Sequence, residues 1–196
     1  LDLTVNCPTE YAEPGIEPEE HVLFTQPGMR YCQAQALVHS LMKDETFLSR
    51  SEQEKAYVSE RILEEVRGRM MEDIILLETF KTLGERYRVF KLRFERGEFD
   101  MVIYDTQENC CAAYEIKHSG KAVPEQARHL RDEEKCALTR QRFGELTGRY
   151  VLYLGEETEM DGIAYRNAEQ FLKQLPSHSM GGEPTEKERP ECGPSM

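Results

Sequence analysis

Two short segments in the middle of the chain combine acidic residues and a lysine at strand-like spacing. Asp100 lies in the segment 99–105 (FDMVIYD), and Glu115 and Lys117 lie in the segment 111–117 (CAAYEIK). The connector between the segments has hairpin length, so positions that face each other should sum to about 215. This register predicts that Asp100 faces Glu115, and the period of two in a strand places Lys117 on the same face as Glu115.

Facing carboxylates repel each other, because directly opposed side chains have Cβ atoms only about 5 Å apart. A divalent cation would relieve that repulsion, and Mg²⁺ (or Mn²⁺) favours one or two carboxylates together with waters and phosphate oxygens. Such an ion polarises a phosphate and supplies a hydroxide-like nucleophile, which Lys117 could orient. An isolated Glu-x-Lys triplet on a strand is usually a solvated charge pair. Here the hairpin and Asp100 favour a metal site suited to phosphodiester hydrolysis.

The hydrophobic pattern predicts the elements that must position these residues. A capping box at Ser51 opens a long helix that is apolar nearly all round toward its end, which indicates burial against a sheet. The resulting order, α-β-β-β-α-β-α, predicts an α/β (α+β mixed) fold with a central mixed sheet and helices on both faces. The predicted helices are 29–43, 53–84, 124–143 and 167–175, and the predicted strands are 87–94, 99–105, 111–117 and 149–154.

Both ends of the chain differ in composition from this middle part. Residues 1–28 are rich in Pro and Glu and predict an extended lead-in, with a short strand at 21–24. Residues 176–196 contain almost no large apolar side chain and predict a disordered tail. The predicted domain therefore covers residues 29–175.

Composition narrows the classes of protein further. The net charge is −12, but residues 81–150 carry 14 Lys and Arg against 12 Asp and Glu, so the acidity lies in the flanks and a phosphate contact in the middle is permitted. No apolar run approaches the length of a membrane span. The six cysteines form no C-x-x-C pair, which argues against a zinc site or a disulfide framework and favours a cytoplasmic protein with reduced thiols.

The order strand, Asp, hairpin and Glu-x-Lys resembles the signature of the PD-(D/E)XK nuclease superfamily, carried here by Asp100, Glu115 and Lys117. The stretch from Gly68 to Glu72 is similar to the Gly-Arg-x-x-Glu pattern in the C-terminal domain of unknown function of prokaryotic AAA-type ATPases. This resemblance covers about residues 28–175 and implies a restriction-endonuclease-like fold. It also implies that the acid of the long helix joins the metal site.

The resemblance assigns that helical acid to Glu72, so that the implied metal ligands are Asp100, Glu115 and Glu72. Helical periodicity instead places Asp73 on the stripe that contains Met70, and Asp73 stays open as the alternative. A glutamine on the helix after the Glu-x-Lys strand recurs in several nuclease branches, and Gln126 matches it in position. An exposed helical glutamine is an equally good interpretation of that residue.

Two functions follow as expectations. The first is a metal-dependent nuclease, with Asp100, Glu115, Lys117, Glu72 and Gln126 as catalytic residues, Mg²⁺ (or Mn²⁺) as cofactor and DNA or RNA as substrate. The second is a non-catalytic binding or regulatory module with a nuclease fold. Under either function, the partner implied by the resemblance is an AAA-type ATPase domain in the same full-length chain, and residues 1–28 would include the remnant of a winged-helix region that joins the two. No membrane association is expected.

Overall fold

A computed structural model describes residues 3–17, 21–83 and 86–176. Within these ranges the chain forms a seven-stranded mixed sheet, a separate pair of short strands, five α-helices and one 3-10 turn at Pro124–Ala127. The helices are α1 (Gly28–Leu41), α2 (Glu45–Leu48), α3 (Glu52–Thr82), α4 (Glu133–Phe143) and α5 (Ala168–Gln174). The strands are β1 (Thr4–Asn6), β2 (Thr9–Tyr11), β3 (Val22–Phe24), β4 (Tyr87–Arg93), β5 (Glu98–Asp105), β6 (Cys110–Ile116), β7 (Glu145–Tyr153), β8 (Thr158–Met160) and β9 (Ile163–Asn167).

The strand order in the large sheet is β2-β4-β5-β6-β7-β9-β8. Strands β4, β5 and β6 form an antiparallel meander, whereas β6, β7 and β9 run parallel to one another. At one edge β2 pairs parallel with β4, and at the other edge β8 pairs antiparallel with β9. The predicted mixed sheet is therefore confirmed.

Helix α3 begins at the predicted capping box. The Ser51 hydroxyl accepts a hydrogen bond from the Glu54 N–H, and the Glu54 carboxylate accepts one from the Ser51 N–H at 3.0 Å. The buried apolar residues lie in the C-terminal half, at Met71 and at 75–77. Helical spacing predicts an apolar stripe through Ile62, Val66, Met70, Ile74 and Leu77, of which the first four are half-buried and Leu77 is buried. The helix thus enters the core late, and its predicted end at residue 84 lies outside the described residues.

Helices cover both faces of the sheet, as predicted. On one face α3 and α5 pack against Met101, Ile103, Tyr114 and Ile116. On the other face, Leu130 of the segment between the 3-10 turn and α4, together with Cys136 and Phe143 of α4, packs against residues that include Cys111, Ala113 and Val151. The central strands are consequently buried on both faces, and every residue of β6 is buried.

The prediction of one continuous helix over 124–143 is wrong. The chain makes the 3-10 turn, passes through residues 128–132, and only then begins α4. Asp132 accounts for the break, because its carboxylate accepts hydrogen bonds from the N–H groups of Glu134 and Lys135 at 3.1 and 3.3 Å and so caps a new helix.

The predicted strand 149–154 is longer, because β7 already starts at Glu145 alongside Cys110 of β6. Strands β8 and β9 were not predicted. They are joined by Asp161 and Gly162, both with positive φ, in a tight two-residue connection.

Part of the predicted lead-in belongs to the large sheet. Strand β2 pairs with β4, and the predicted strand at 21–24 is confirmed as β3, which pairs with β1. The predicted tail lies outside the described residues except for Pro176. Within the described ranges, no helix combines the length and the apolar character that a membrane crossing requires.

Candidate active site

The β5–β6 hairpin brings Asp100 and Glu115 together as predicted. The ladder pairs Met101 with Tyr114 and Val102 with Ala113, so Asp100, one residue further along β5, lies opposite Glu115. Both carboxylates are taken out of solvent, at 6 % and 2 % exposed. Two carboxyl groups therefore meet in a buried environment, where the ionisation of both is costly.

Lys117 joins the two carboxylates. Its Nζ lies 2.9 Å from Asp100 Oδ2 and 2.6 Å from Glu115 Oε2. The backbone N–H of Ile116 also donates to Asp100 Oδ2 at 2.7 Å, so the Asp100 side chain is held from two directions. Lys117 follows directly after β6, and its own N–H donates to the Leu152 carbonyl of β7 at 2.8 Å, which keeps the residue in the sheet.

Glu115 retains one oxygen with no protein partner. Oε1 is buried and accepts no hydrogen bond from any residue in the described ranges. Burial, together with the negative charge of Asp100, raises the pKa of Glu115 to about 8. Burial alone would lower the pKa of Lys117, but the charges of Asp100 and Glu115 outweigh it and raise that pKa. The cluster thus holds a firmly charged lysine and an acid that resists ionisation.

Glu72 of α3 lines the same cleft as Asp100 and Lys117, a cavity of about 530 Å³. Burial, and next the charge of Asp100, raise its pKa to about 7. Its Oε2 lies 3.8 Å from Lys91 Nζ. Among the described residues Lys91 is the cation that pairs with the Glu72 carboxylate, and Glu72 meets the Asp100–Lys117–Glu115 cluster through the cavity that it shares with Asp100 and Lys117.

The alternative acid, Asp73, points to a different neighbour. Its Oδ2 lies 2.9 Å from an Arg30 nitrogen on α1, so it joins α3 to α1. Asp73 does not line the cleft that contains Lys117, whereas Glu72 does. Both acids share another cavity with Asp100, and the choice of Glu72 as the helical acid stays a prediction, supported by the cavity that it shares with Lys117.

Gln126 lines the cleft, but its side chain holds the local backbone. The amide oxygen accepts from the Val123 N–H at 3.1 Å, and the amide nitrogen donates to the Lys121 carbonyl at 3.1 Å. Both hydrogen bonds close the loop that leads from Lys117 into the 3-10 turn. Gln126 therefore shapes one wall of the cleft, and its predicted catalytic role stays a prediction.

Lys91 and Glu98 belong to the site and were not predicted. Glu98 accepts hydrogen bonds from Lys91 Nζ at 2.8 Å and from Arg93 Nε at 3.2 Å, and it lines the cleft beside Asp100. Lys91 thereby provides the cation nearest to Glu72. The signal in the sequence was a lysine within the apolar run VFKLRF, which points to a partnered charge at a half-buried position.

The donor set fits a hard cation in part. Asp100 and Glu115 supply carboxylate oxygens at one spot, and the unpartnered Glu115 Oε1 is a free ligand of the type that Mg²⁺ prefers. Across the described ranges, however, no three His, Cys, Asp or Glu side chains converge closely enough to hold a metal ion. Lys117 bridges the two carboxylates, so a cation would have to share them with its ammonium group.

The raised pKa values of Glu115 and Glu72 make the free energy of unfolding depend on pH, and this dependence can be measured without metal. Folded Glu115 and Glu72 bind protons more tightly than their unfolded forms, with pKa values of about 8 and 7 against an ordinary 4.5. At pH values between the ordinary and the raised pKa, the folded state therefore holds more protons than the unfolded state. The free energy of unfolding should consequently fall as the pH rises from about 5 to about 8. Each such group contributes a slope of at most about 1.4 kcal/mol per pH unit.

Urea denaturation of the metal-free protein across that range checks this expectation. The variant Glu115→Gln should show a shallower fall than the wild type, because its neutral amide has no proton to lose. Comparison of the two proteins cancels the other titrating groups. Equal slopes would mean that Glu115 ionises at its ordinary pKa.

Comparisons with protein-family models, with curated proteins and with solved structures found no match to this chain. A mixed sheet flanked by helices supports many unrelated activities. The function is therefore argued from the residues in the cleft.

Proposed function

We propose that this chain is a metal-dependent nuclease-like domain that hydrolyses nucleic-acid phosphodiesters. The observation that carries the proposal is the buried cluster in which Lys117 contacts both Asp100 and Glu115 while one Glu115 oxygen stays unpartnered. The resemblance to the PD-(D/E)XK signature supports it, since the same three residues carry that signature. The fold would then be restriction-endonuclease-like.

The proposed roles follow from the contacts. Asp100 and Glu115 would hold Mg²⁺ (or Mn²⁺), with Glu72 completing the site from α3. A bound ion of this kind supplies Lewis acidity toward a phosphate oxygen and lowers the pKa of a water. Lys117, firmly protonated, would stabilise the negative charge that develops on the phosphate.

Binding of a cation would be linked to the loss of a proton from Glu72. Burial and the charge of Asp100 raise the pKa of Glu72 to about 7, so near neutral pH the carboxyl group holds a proton part of the time. Lys91, held by Glu98, limits that shift because its positive charge favours the ionised carboxylate. Glu72 would therefore release this proton when it binds the ion as the third ligand.

The resemblance also supports a setting for the domain. It would form the C-terminal part of a prokaryotic AAA-type ATPase and act in the cytoplasm. The five cysteines in the described ranges form no disulfide with one another, which suits a reducing compartment. The ATPase domain would be its partner in the same full-length chain.

A second function, a non-catalytic binding or regulatory module, is favoured by one observation. Lys117 already pairs with both acids, and the raised pKa of Glu115 keeps that group largely protonated near pH 7, so the cluster balances most of its own charge without a metal ion. The net charge of −12 points the same way, because tight binding to a nucleic-acid backbone usually needs a clear positive surface.

A cleavage assay tests the proposed function. We expect the wild type to cut labelled single- or double-stranded DNA or RNA in Mg²⁺ or Mn²⁺ and to stop in EDTA. Glu115→Gln should lose this activity by roughly 100-fold or more, because it removes a ligand charge. Glu159→Gln, at an exposed position on β8, is the matched control and should cut like the wild type.

Cleavage that persists in EDTA, or that survives unchanged in Glu115→Gln, would contradict the proposal. If the wild type binds Mn²⁺ through Asp100 but cuts none of the substrates, the regulatory module becomes the better interpretation.

A further inference from the structure

The turn between the 3-10 turn and α4 places a histidine in a second cavity, which shares Glu98, Asp100 and Lys117 with the cleft. His129 lines a cavity of about 560 Å³ together with Asp100, Glu115 and Lys117. The turn is anchored on both sides, because Ala127 and Leu130 are fully buried. The backbone carbonyl of His129 also accepts the N–H of Asp132 at 3.2 Å. The imidazole thus projects from a fixed support toward the catalytic cluster.

A buried lysine stands behind this imidazole. Lys135 is only 8 % exposed, and its Nζ lies 2.6 Å from His129 Nδ1 and 5.4 Å from the centroid of the Phe94 ring. An ammonium group has donors and no acceptor, so Nδ1 must accept the hydrogen bond. A neutral imidazole then carries its single proton on Nε2, and Lys135 fixes the ring in that tautomer.

Burial, and after it the positive charges of Lys135 and Arg128, lower the pKa of His129, which keeps the imidazole neutral near pH 7. A neutral ring is the form that can accept from Lys135. The tautomer argument and the electrostatic environment therefore agree.

Arg128 brings a second donor to the same point. Its Nε lies 3.3 Å from His129 Nε2. A guanidinium group also has no acceptor, so Arg128 and Lys135 cannot both donate to one neutral imidazole. The contact with Lys135 is shorter and more buried, and it determines the tautomer. In the tautomer that Lys135 fixes, the Arg128 N–H that points at His129 Nε2 meets a second N–H donor, and among the described residues no acceptor lies between the two groups.

The β4–β5 connection is shaped to leave room for this arrangement. Gly97 has φ +84°, and a Cβ at this position would lie 2.6 Å from His129 Cε1 and 3.2 Å from Lys135 Nζ. A side chain there would push the imidazole away from the lysine. Gly97 thus permits the His129–Lys135 pair to pack closely against the β4–β5 connection.

We propose that His129 and Arg128 bind a non-bridging phosphate oxygen of the substrate strand, and that Lys135 positions the His129 ring for this contact. An anionic oxygen between Nε2–H and the guanidinium would accept from both donors, and hydrogen bonds of this kind are among the stronger ones. The ligand class is a nucleic-acid phosphodiester. The inference rests on the proposed function, because the cavity that His129 lines is also lined by Asp100, Glu115 and Lys117.

The test measures DNA binding, metal binding and the tautomer separately on the full chain. In EDTA, which prevents metal-dependent cutting, the affinity for a labelled single-stranded DNA and for an RNA of the same sequence is measured. We expect His129→Ala and Arg128→Ala each to weaken this affinity roughly tenfold. His129→Gln, which keeps an N–H donor near the Nε2 position, should recover much of the loss.

Lys135→Met should weaken nucleic-acid binding less than His129→Ala does. It should also leave the His129 ring without a fixed tautomer. Nitrogen NMR of the His129 ring should show Nε2–H in the wild type and mixed tautomers in this variant. Exposed His39 and Arg140 supply the controls, since His39→Ala and Arg140→Ala should bind like the wild type.

Mn²⁺ titration separates this inference from the proposed function. Wild type and His129→Ala should bind Mn²⁺ with the same affinity, because His129 is not a proposed ligand. Unchanged nucleic-acid affinity in His129→Ala, an Nδ1–H tautomer in the wild type, or no nucleic-acid binding by the wild type would each overturn the inference. Failure of the wild type to bind Mn²⁺ would overturn the proposed function instead.

Discussion

Lys117→Met should lower the free energy of unfolding by roughly 3 kcal/mol, because it leaves the buried Asp100 carboxylate, and Glu115 whenever it is ionised, without their cation. Methionine keeps most of the volume of the side chain, so packing changes little. Protonation of Glu115 should absorb part of the loss, and the destabilisation should therefore grow as the pH rises through about 8, the pKa of Glu115 beside Lys117. Urea denaturation at low and high pH measures both effects.

The same variant should separate metal binding from cleavage. Without the competing ammonium group, Mn²⁺ should bind at least as tightly as in the wild type. Cleavage should nevertheless fall by roughly 100- to 1000-fold, since the donor that stabilises the developing charge is lost. Lys173→Met on α5 is the matched control, because Lys173 is exposed and forms a long ion pair with Glu169, at 3.9 Å. If Lys117→Met changed the free energy of unfolding by less than about 0.5 kcal/mol, Lys117 would be forming an ordinary surface ion pair.

Asp100→Asn should remove metal binding while leaving the fold intact. The amide oxygen can still accept from the Ile116 N–H, which the wild-type carboxylate does at 2.7 Å. The lost negative charge should weaken Mn²⁺ affinity by roughly 100-fold, equivalent to about 2.7 kcal/mol. It should also lower the pKa values of Glu115 and Glu72, since the charge of Asp100 helps to raise both.

Isothermal titration with Mn²⁺ checks this expectation, and urea denaturation verifies that the variant is folded. Asp161→Asn is the control, because Asp161 is exposed at the β8–β9 connection and its positive φ is one that asparagine also tolerates. Equal Mn²⁺ affinity in wild type and Asp100→Asn would mean that the ion binds elsewhere.

The facing pair of acids could be predicted from the sequence because one short hairpin determines it. The connector between β5 and β6 has few residues, and a strand has a fixed period of two, so the register followed from counting. The capping box at Ser51 was equally local. The mixed sheet with helices on both faces followed from the order of apolar segments, which the strand order confirms.

Features that depend on tertiary contacts could not be predicted in this way. Counting placed Lys117 on the correct face but could not show that its ammonium group bridges both carboxylates. Helical periodicity favoured Asp73, yet its contact with Arg30 depends on how α1 packs against α3. The pairing of Lys135 with His129 likewise requires the turn that interrupts the predicted helix 124–143.

Some missed features had signals in the sequence. Asp161-Gly162 is a strong two-residue hairpin signal, and it joins the unpredicted strands β8 and β9. Asp132, followed by Glu133 and Glu134, marks a helix start within the segment that was assigned to one continuous helix. In both places the local turn chemistry outweighed the longer hydrophobic pattern.

The most direct measurement is the anomalous scattering of Mn²⁺ in crystals of this protein grown near pH 8. We expect one strong peak in the cleft, with carboxylate oxygens of Asp100 and Glu115 at about 2 Å from the ion and Glu72 turned toward it. The Lys117 ammonium should then have released at least one of the two carboxylates. A crystal saturated with Mn²⁺ that shows no peak between Asp100 and Glu115, with Lys117 still bridging them, would contradict the proposed metal site.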